Sequence, residues 1–203
     1  MKNHPWDICA AAEAGGYFRQ IEALYADMDR AYDEVAGGYG FSCTGCADNC
    51  CMTRFYHHTT IEYAYLLYGF FQCPPHRQSV CLDRADACNR ELDRAIRDNA
   101  EFRHMCPVNE DGWCLLYAFR PMICRLHGIP HELAPAGRGK TFGAGCAAFE
   151  AHCGDIPYIP FDRTPFYTRM AELEGRFRKQ TGIAEKFKMT VSGMLRATEK
   201  GAP

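Results

Sequence analysis

Four cysteines occupy nine consecutive positions of this chain, in the stretch CTGCADNCC at residues 43–51. The 203-residue sequence holds thirteen cysteines, and an odd number cannot all be joined in intramolecular disulfides. The N-terminal stretch never forms the uninterrupted apolar core of a signal peptide, so we expect a cytoplasmic and therefore reducing location. Clustered cysteines in that setting predict metal binding or redox chemistry.

The overall charge and hydropathy exclude two classes of partner. The formal net charge is −2, which indicates neither nucleic acid nor an anionic membrane surface. The longest uncharged apolar run, YAYLLYGFF at residues 63–71, is too short to span a bilayer as a helix. We therefore expect a soluble protein with no nucleic-acid or membrane partner, whose protein or redox partner the sequence does not identify.

Apolar residues recur at three- and four-residue steps in several segments, which predicts amphipathic helices. These segments are 11–36, about 59–72, roughly 77–104, 164 onward and about 190–199. TTIE at 59–62 has the spacing of a capping box, and Pro165 suits the first turn of its helix. Residues 105–163 are rich in Gly, Pro and Cys and predict irregular structure.

The expected fold class is mainly α, with a helical bundle against which an irregular cysteine-rich metal-binding segment folds. We predict a single domain over residues 1–203. It comprises an N-terminal helix at 11–36, a cysteine-cluster core at about 41–153 and C-terminal helices at about 164–199.

Eight cysteines lie where helical periodicity is absent, so that their thiolates can turn toward a common point. They are Cys43, Cys46, Cys50, Cys51, Cys106, Cys114, Cys124 and Cys146. A C-x2-C spacing directs two sulfurs to one tetrahedral ion, and the same chemistry suits a 4Fe–4S cluster. Cys81 and Cys88, in contrast, share an apolar helical stripe and are predicted to be core residues.

The number of centres is open at this point. Adjacent side chains such as Cys50 and Cys51 point opposite ways in an extended segment, so one faces the core or the two serve different centres. Eight thiolates suffice for two four-cysteine zinc sites, or for one iron–sulfur cluster with additional structural thiols. We favour one centre built from the 43–51 group and Cys124, which Cys106, Cys114 and Cys146 complete or frame.

Several other residues near the cysteines invite a role. Arg120 and Arg125 flank Cys124 and can supply the positive charge that thiolates need. His127, three residues after Cys124, could replace one thiolate, although a hydrogen-bonding role is commoner. His57 and His58 could bind a second metal, but we interpret them as the polar start of a helix.

The cysteine pattern resembles the YkgJ-type cysteine-cluster family, also called the CxxCxxCC or zinc- or iron-chelating domain. The resemblance is carried by CTGCADNCC (43–51), Cys106 and CLLYAFRPMICR (114–125), a spread of about 80 residues. The first motif is one residue longer than the common form C-x2-C-x2-C-C. The resemblance implies a cysteine-ligated metal or iron–sulfur centre without a settled reaction. Because the spacing is the reverse of the radical-SAM signature C-x3-C-x2-C, we reject that chemistry.

The expected function is that of a cysteine-ligated metal-binding protein of unassigned reaction, with a 4Fe–4S iron–sulfur cluster or Zn2+ as the cofactor and redox chemistry as one role. The alternatives are a structural-zinc adaptor and a metal carrier or sensor without catalytic activity. The sequence contains no GxSxG, no HExxH and no phosphate-binding glycine loop, so it names no catalytic residue.

Overall fold

The computed structural model describes residues 4–43 and 50–200, and for Cys50, Glu199 and Lys200 the backbone alone. The fold is mainly helical, with 59% of the residues in helices, as the apolar periodicity predicts. The helices of the described residues are α1 Pro5–Ala14, α2 Tyr17–Gly38, α3 Thr60–Gln72, α4 Pro75–Arg97, α5 Met122–Leu126, α6 Ala147–Cys153, α7 Thr164–Thr181 and α8 Val191–Lys200. No helix in this part of the chain is long and apolar enough to cross a membrane.

The single N-terminal helix predicted over 11–36 is wrong, because the structure has two helices there. The chain breaks at Gly15 and Gly16, and Gly16 has a φ of 69°, a left-handed conformation that glycine adopts without a steric penalty. The break lets α1 turn back and pack against α3. The adjacent glycines in the sequence indicate this break, but the apolar periodicity favoured one continuous helix.

The later helices agree more closely with the sequence. Helix α7 begins at Thr164 with a proline in its first turn, as predicted. Helix α8 begins immediately after Thr190, whose hydroxyl accepts the N–H of Gly193 at 3.1 Å. Helix α4 ends at Arg97 instead of near 104, because the chain turns at Asn99, which has a φ of 48°.

The capping box predicted at the start of α3 does not form. The Thr59 hydroxyl donates to the carboxylate of Glu62 at 2.6 Å, and no side chain of α3 itself caps its first N–H groups. Glu174 of α7 accepts the N–H groups of Thr60 and Ile61 instead, at 2.9 Å each. A distant carboxylate thus caps a helix whose first turns are buried, where the partial positive charge at the helix start favours an anion.

Helix α3 forms the centre of the core. Its residues from Thr60 to Leu67 are all buried, which is the pattern of a helix packed on every side. Helices α1, α2 and α7 contact it, while α8 packs mainly on α4. The arrangement gives the bundle that the sequence predicts.

The segment between α4 and α7 is irregular, as expected, and carries two short hairpins. Strands β1 Asn109–Glu110 and β2 Trp113–Cys114 pair antiparallel, as do β3 His131–Leu133 and β4 Thr141–Gly143. Two 3-10 turns, Cys50–Met52 and Tyr117–Phe119, flank the same region. Here the chain brings distant cysteines together.

Candidate metal centre

A cavity of about 950 Å³ lies between the irregular segment and the bundle. It is lined by every predicted ligand cysteine whose side chain the structure describes. These residues are Cys43, Cys51, Cys106, Cys114, Cys124 and Cys146. Cys46 and the side chain of Cys50 lie outside the described residues. No disulfide joins two of the cysteines whose side chains are described.

A backbone hydrogen bond holds Cys51 against the segment that leads into the β1–β2 hairpin. The N–H of Cys106 donates to the carbonyl of Cys51 at 2.8 Å, although the two residues are far apart in the chain. Within the hairpin, Leu115 donates to the Val108 carbonyl at 2.8 Å, which fixes Cys114 at the end of β2. Three of the cysteines are therefore placed by main-chain contacts that do not depend on a bound ion.

The fourth cysteine of this region, Cys124, is held by α5 and by the residues just before it. Pro121 caps α5, and its carbonyl accepts the N–H of Cys124 at 2.9 Å. The N–H of Met122 donates to buried Glu62 of α3 at 2.7 Å. The short helix is thereby anchored directly to the core of the bundle.

The thiols of Cys51, Cys106, Cys114 and Cys124 lie close enough to influence one another. We call these four residues the thiol group. Burial raises the pKa of Cys106 well above its usual range, and the charges of the other three members raise it further. Burial also raises the pKa of Cys124, and Cys114 and Cys51 add to the increase. Four thiolates in this environment repel one another unless a cation joins them.

Donors around the thiol group counteract this repulsion. The backbone N–H groups near the sulfurs, that of Val108 for Cys106 and that of Leu116 for Cys114, lower the pKa of these two thiols. Burial nevertheless raises the pKa of Cys114 to about 11. Arg120 lowers the pKa of both Cys114 and Cys124. The donors thus offset part of the rise in pKa that burial and the neighbouring thiols cause.

Cys43 and Cys146 occupy a different part of the cavity wall. Both act on Tyr32, whose phenol pKa is raised mainly by burial and further by these two thiols. The Cys146 sulfur accepts the N–H of Phe149 at 3.4 Å and so caps α6. His127 also lines the cavity, with its ring 5.1 Å from that of Phe55.

The sulfurs suit a thiophilic metal in chemical type but do not form a finished coordination sphere. Across residues 4–43 and 50–200, no group of three or more His, Cys, Asp or Glu side chains is arranged to hold a metal ion. Zinc–sulfur bonds are about 2.3 Å long, so the thiols must turn inward to share one ion. The donors therefore fit the expected metal in chemical type, and their side chains would have to turn to bind it.

Residues outside the cysteine motifs give mixed outcomes. Cys81 is buried on α4 away from the cavity, as predicted for a core residue, whereas Cys88 is buried on the same helix but also lines the cavity. The interpretation of His57 as a polar helix start is wrong, because its side chain is 3% exposed and lines the cavity. The alternation of Phe55 and His57 in an extended segment was the available signal, since alternate side chains face the same side.

The fold and the site together define a mainly α protein with a cysteine-lined cavity. No protein-family model, no curated protein and no solved structure matches this chain. The resemblance to the cysteine-cluster family therefore stays a prediction, and the function is inferred from the residues themselves.

Proposed function

We propose that this protein binds a thiophilic metal ion or an iron–sulfur cluster through the thiol group. The observation that carries the proposal is that these four cysteines line one large cavity, close enough for the charges of Cys51 and Cys114 to add to the rise that burial causes in the pKa of Cys106 and Cys124. If these four cysteines served only as apolar packing in the core, N–H donors and an arginine beside their sulfurs would not be needed. Such donors stabilise thiolates, which are the form that binds metal.

Binding is expected to complete the site. The main chain around Cys51, Cys106 and Cys114 is held by the hydrogen bonds described above, and we expect side-chain rotation to bring the sulfurs toward a shared ion. Thiol protons leave as the metal arrives, and the binding energy adds to the stability of the fold. The bound group would supply redox or Lewis-acid chemistry beside the cavity.

The cavity favours a reactive centre over a structural zinc. Structural zinc sites are closed by four protein ligands and need no adjoining space, whereas reactive centres keep a position open. A volume of about 950 Å³ lies at the upper end of the range for small-molecule sites. A carrier or sensor is the second candidate, because exposed Cys43 on the same cavity would let a partner exchange the metal.

The test is the content of iron, zinc and acid-labile sulfide per chain after purification without oxygen. About four irons with matching sulfide indicate a 4Fe–4S centre, and one or two zincs without sulfide indicate a zinc protein. Cys106→Ser and Cys124→Ser are expected to lose the metal. The matched control Cys81→Ser, which alters a buried cysteine away from the cavity, should retain it. Full metal content in both site variants, or none in the wild type, contradicts the proposal.

A further inference from the structure

The cavity has a second polar region that the thiol group does not use. This region lies where the extended segment before α3 meets the start of α8. His57 and Met189 pair there through two backbone hydrogen bonds, from His57 N to Met189 O at 2.8 Å and from Met189 N to His57 O at 3.1 Å. The bridge brings His57 close to the first turn of α8, and both line the cavity.

His57 carries an unused polar atom in this region. Its side chain is almost fully buried, and Nε2 has no hydrogen-bond partner among the described residues. Burial lowers the pKa of the imidazole to about 4, so the ring is neutral at physiological pH. An unsatisfied buried nitrogen lowers the stability of a protein, which makes it a candidate for contact with a ligand.

The start of α8 offers donors beside it. Thr190, Val191 and Ser192 all line the cavity. The Thr190 hydroxyl caps Gly193, and the Thr190 carbonyl accepts the N–H of Met194 at 2.9 Å. This cap leaves the N–H groups of Val191 and Ser192 for another acceptor, at the end of the helix where an anion is stabilised.

The charges on the cavity wall favour an anionic ligand. Its described lining residues include two arginines, Arg54 and Arg120, and one carboxylate, Asp111. Arg120 is already 3.5 Å from Asp29. In the described part of the chain Arg54 has no ion pair, and its guanidinium lies 5.8 Å from the centre of the Tyr56 ring. Arg54, three residues before His57 on the cavity wall, is therefore a cation without an ion pair among the described residues that an incoming negative group can meet.

An apolar surface connects this polar region with the thiol group. Phe55 lies two residues before His57 on the same cavity, and its ring contacts His127, which follows α5 and its Cys124. Phe102 and Leu66 add further apolar lining. A ligand that lies along Phe55 thus spans from the α8 start toward the cysteines.

We propose that the cavity binds a small organic anion with an apolar body. The anionic group is held by His57, Arg54 and the first turn of α8, and the body lies against Phe55 and Phe102. Carboxylates and phosphate esters share this chemistry. The site is built from residues that bind no metal, so it stands whether or not the thiol group is loaded.

Naphthalene-2-carboxylate and the neutral naphthalene-2-carboxamide are the probes, titrated by ligand-observed NMR into the full chain, both as purified and after chelation of metal. The carboxylate should bind more tightly than the amide. His57→Phe keeps a ring of similar size and removes both nitrogens. We expect it to weaken carboxylate binding by about tenfold or more, the value of a hydrogen bond to a charged group, with little effect on the amide.

The matched control is His58→Phe, which alters the neighbouring exposed histidine that does not line the cavity, and it should bind both probes like the wild type. Arg54→Gln, at an exposed position, gives a second variant that does not depend on the tolerance of a buried site. Equal affinity for the two probes, or carboxylate binding that neither His57→Phe nor Arg54→Gln weakens, overturns the proposal. Loss of metal content leaves these affinities unchanged if the proposal holds, so its failure is distinguishable from that of the metal centre.

Discussion

Arg125 Nη1 donates to Asp29 Oδ2 at 2.5 Å and so joins α5 to α2. The Arg125 side chain is buried, and its Nε donates to the carbonyl of Arg120 at 2.9 Å. Its guanidinium also lies 4.0 Å from the centre of the Tyr25 ring. One side chain therefore holds the loop before Cys124 against the bundle.

Arg125→Ala is expected to reduce the free energy of unfolding by about 3 kcal/mol, because it leaves Asp29 Oδ2 and the part-buried Arg120 carbonyl without a donor and removes the packing on Tyr25. Urea unfolding measures the change. Metal content should also fall, since Cys124 is the next residue toward the N-terminus. Arg169→Ala, which breaks an exposed ion pair with Asp27, is the control and should leave stability nearly unchanged. Equal stability of the two variants contradicts this role for Arg125.

Glu62 is the second anchor of α5. Its carboxylate accepts bonds from Tyr25 at 3.2 Å, Thr59 at 2.6 Å and the N–H of Met122 at 2.7 Å. Glu62→Ala is expected to cost about 2–4 kcal/mol, because these donors lose their acceptor in the core. Glu62→Gln retains one carbonyl oxygen and nearly the same shape, so it should cost less. Thermal unfolding of both variants checks the order, and a Gln variant as unstable as the Ala variant contradicts it.

Replacing each of two helical glycines with alanine should change the stability of the protein in opposite directions. At Gly69 in α3 an added Cβ would lie 2.2 Å from the ring of Phe119, in the 3-10 turn between Cys114 and Cys124. Gly69→Ala should therefore destabilise the protein by about 1–3 kcal/mol despite the better helix propensity of alanine. At Gly175 in α7 nothing lies within 4 Å, so Gly175→Ala should stabilise it by about 0.5–1 kcal/mol. Chemical denaturation of both variants tests the contrast, which fails if their shifts share one sign.

The buried imidazole of His57 should make stability depend on pH. Its pKa is lowered from 6.5 to about 4 in the folded chain, so the unfolded chain binds the proton more readily. The stabilising contribution is complete above about pH 6.5 and is lost as the pH falls toward 4. It should decrease by about 2 kcal/mol between pH 7.5 and pH 5.

His57→Phe removes this contribution, so its unfolding free energy should fall less than that of the wild type over the same pH range. Urea unfolding at the two pH values gives the comparison. His76→Phe, at an exposed position of α4, should follow the wild type. Identical pH dependence in the wild type and His57→Phe would show that the imidazole is not buried in its neutral form.

Much of the helical arrangement could be predicted because apolar spacing reports burial directly. Thr164 and Thr190 mark helix starts by local chemistry alone, and both predictions are confirmed. The capping of α3 could not be predicted, because Glu174 lies more than a hundred residues from the N–H groups that it accepts. Local sequence names a helix start but not a distant carboxylate that replaces the local cap.

For the candidate site, too, local features could be predicted from the sequence and contacts between distant residues could not. The lack of helical periodicity around Cys106 and Cys114 separated these cavity cysteines from Cys81, which is buried in the core, but the helical spacing did not show that Cys88 also lines the cavity. The burial of His57 was missed, because the residue that covers it, Met189, comes near the end of the chain. Which cysteines approach one another is likewise a property of the folded hairpin and not of the spacing within either motif.

The bridge between His57 and Met189 has a consequence for biosynthesis. A nascent chain carries all the candidate ligand cysteines once residue 146 has emerged from the ribosome, yet the α8 wall of the cavity still lacks its sequence. Until Met189 pairs with His57, the cavity lacks the wall that Thr190, Val191 and Ser192 provide. Insertion of a metal during synthesis would thus meet an open site, and insertion afterwards would have to pass through the finished cavity.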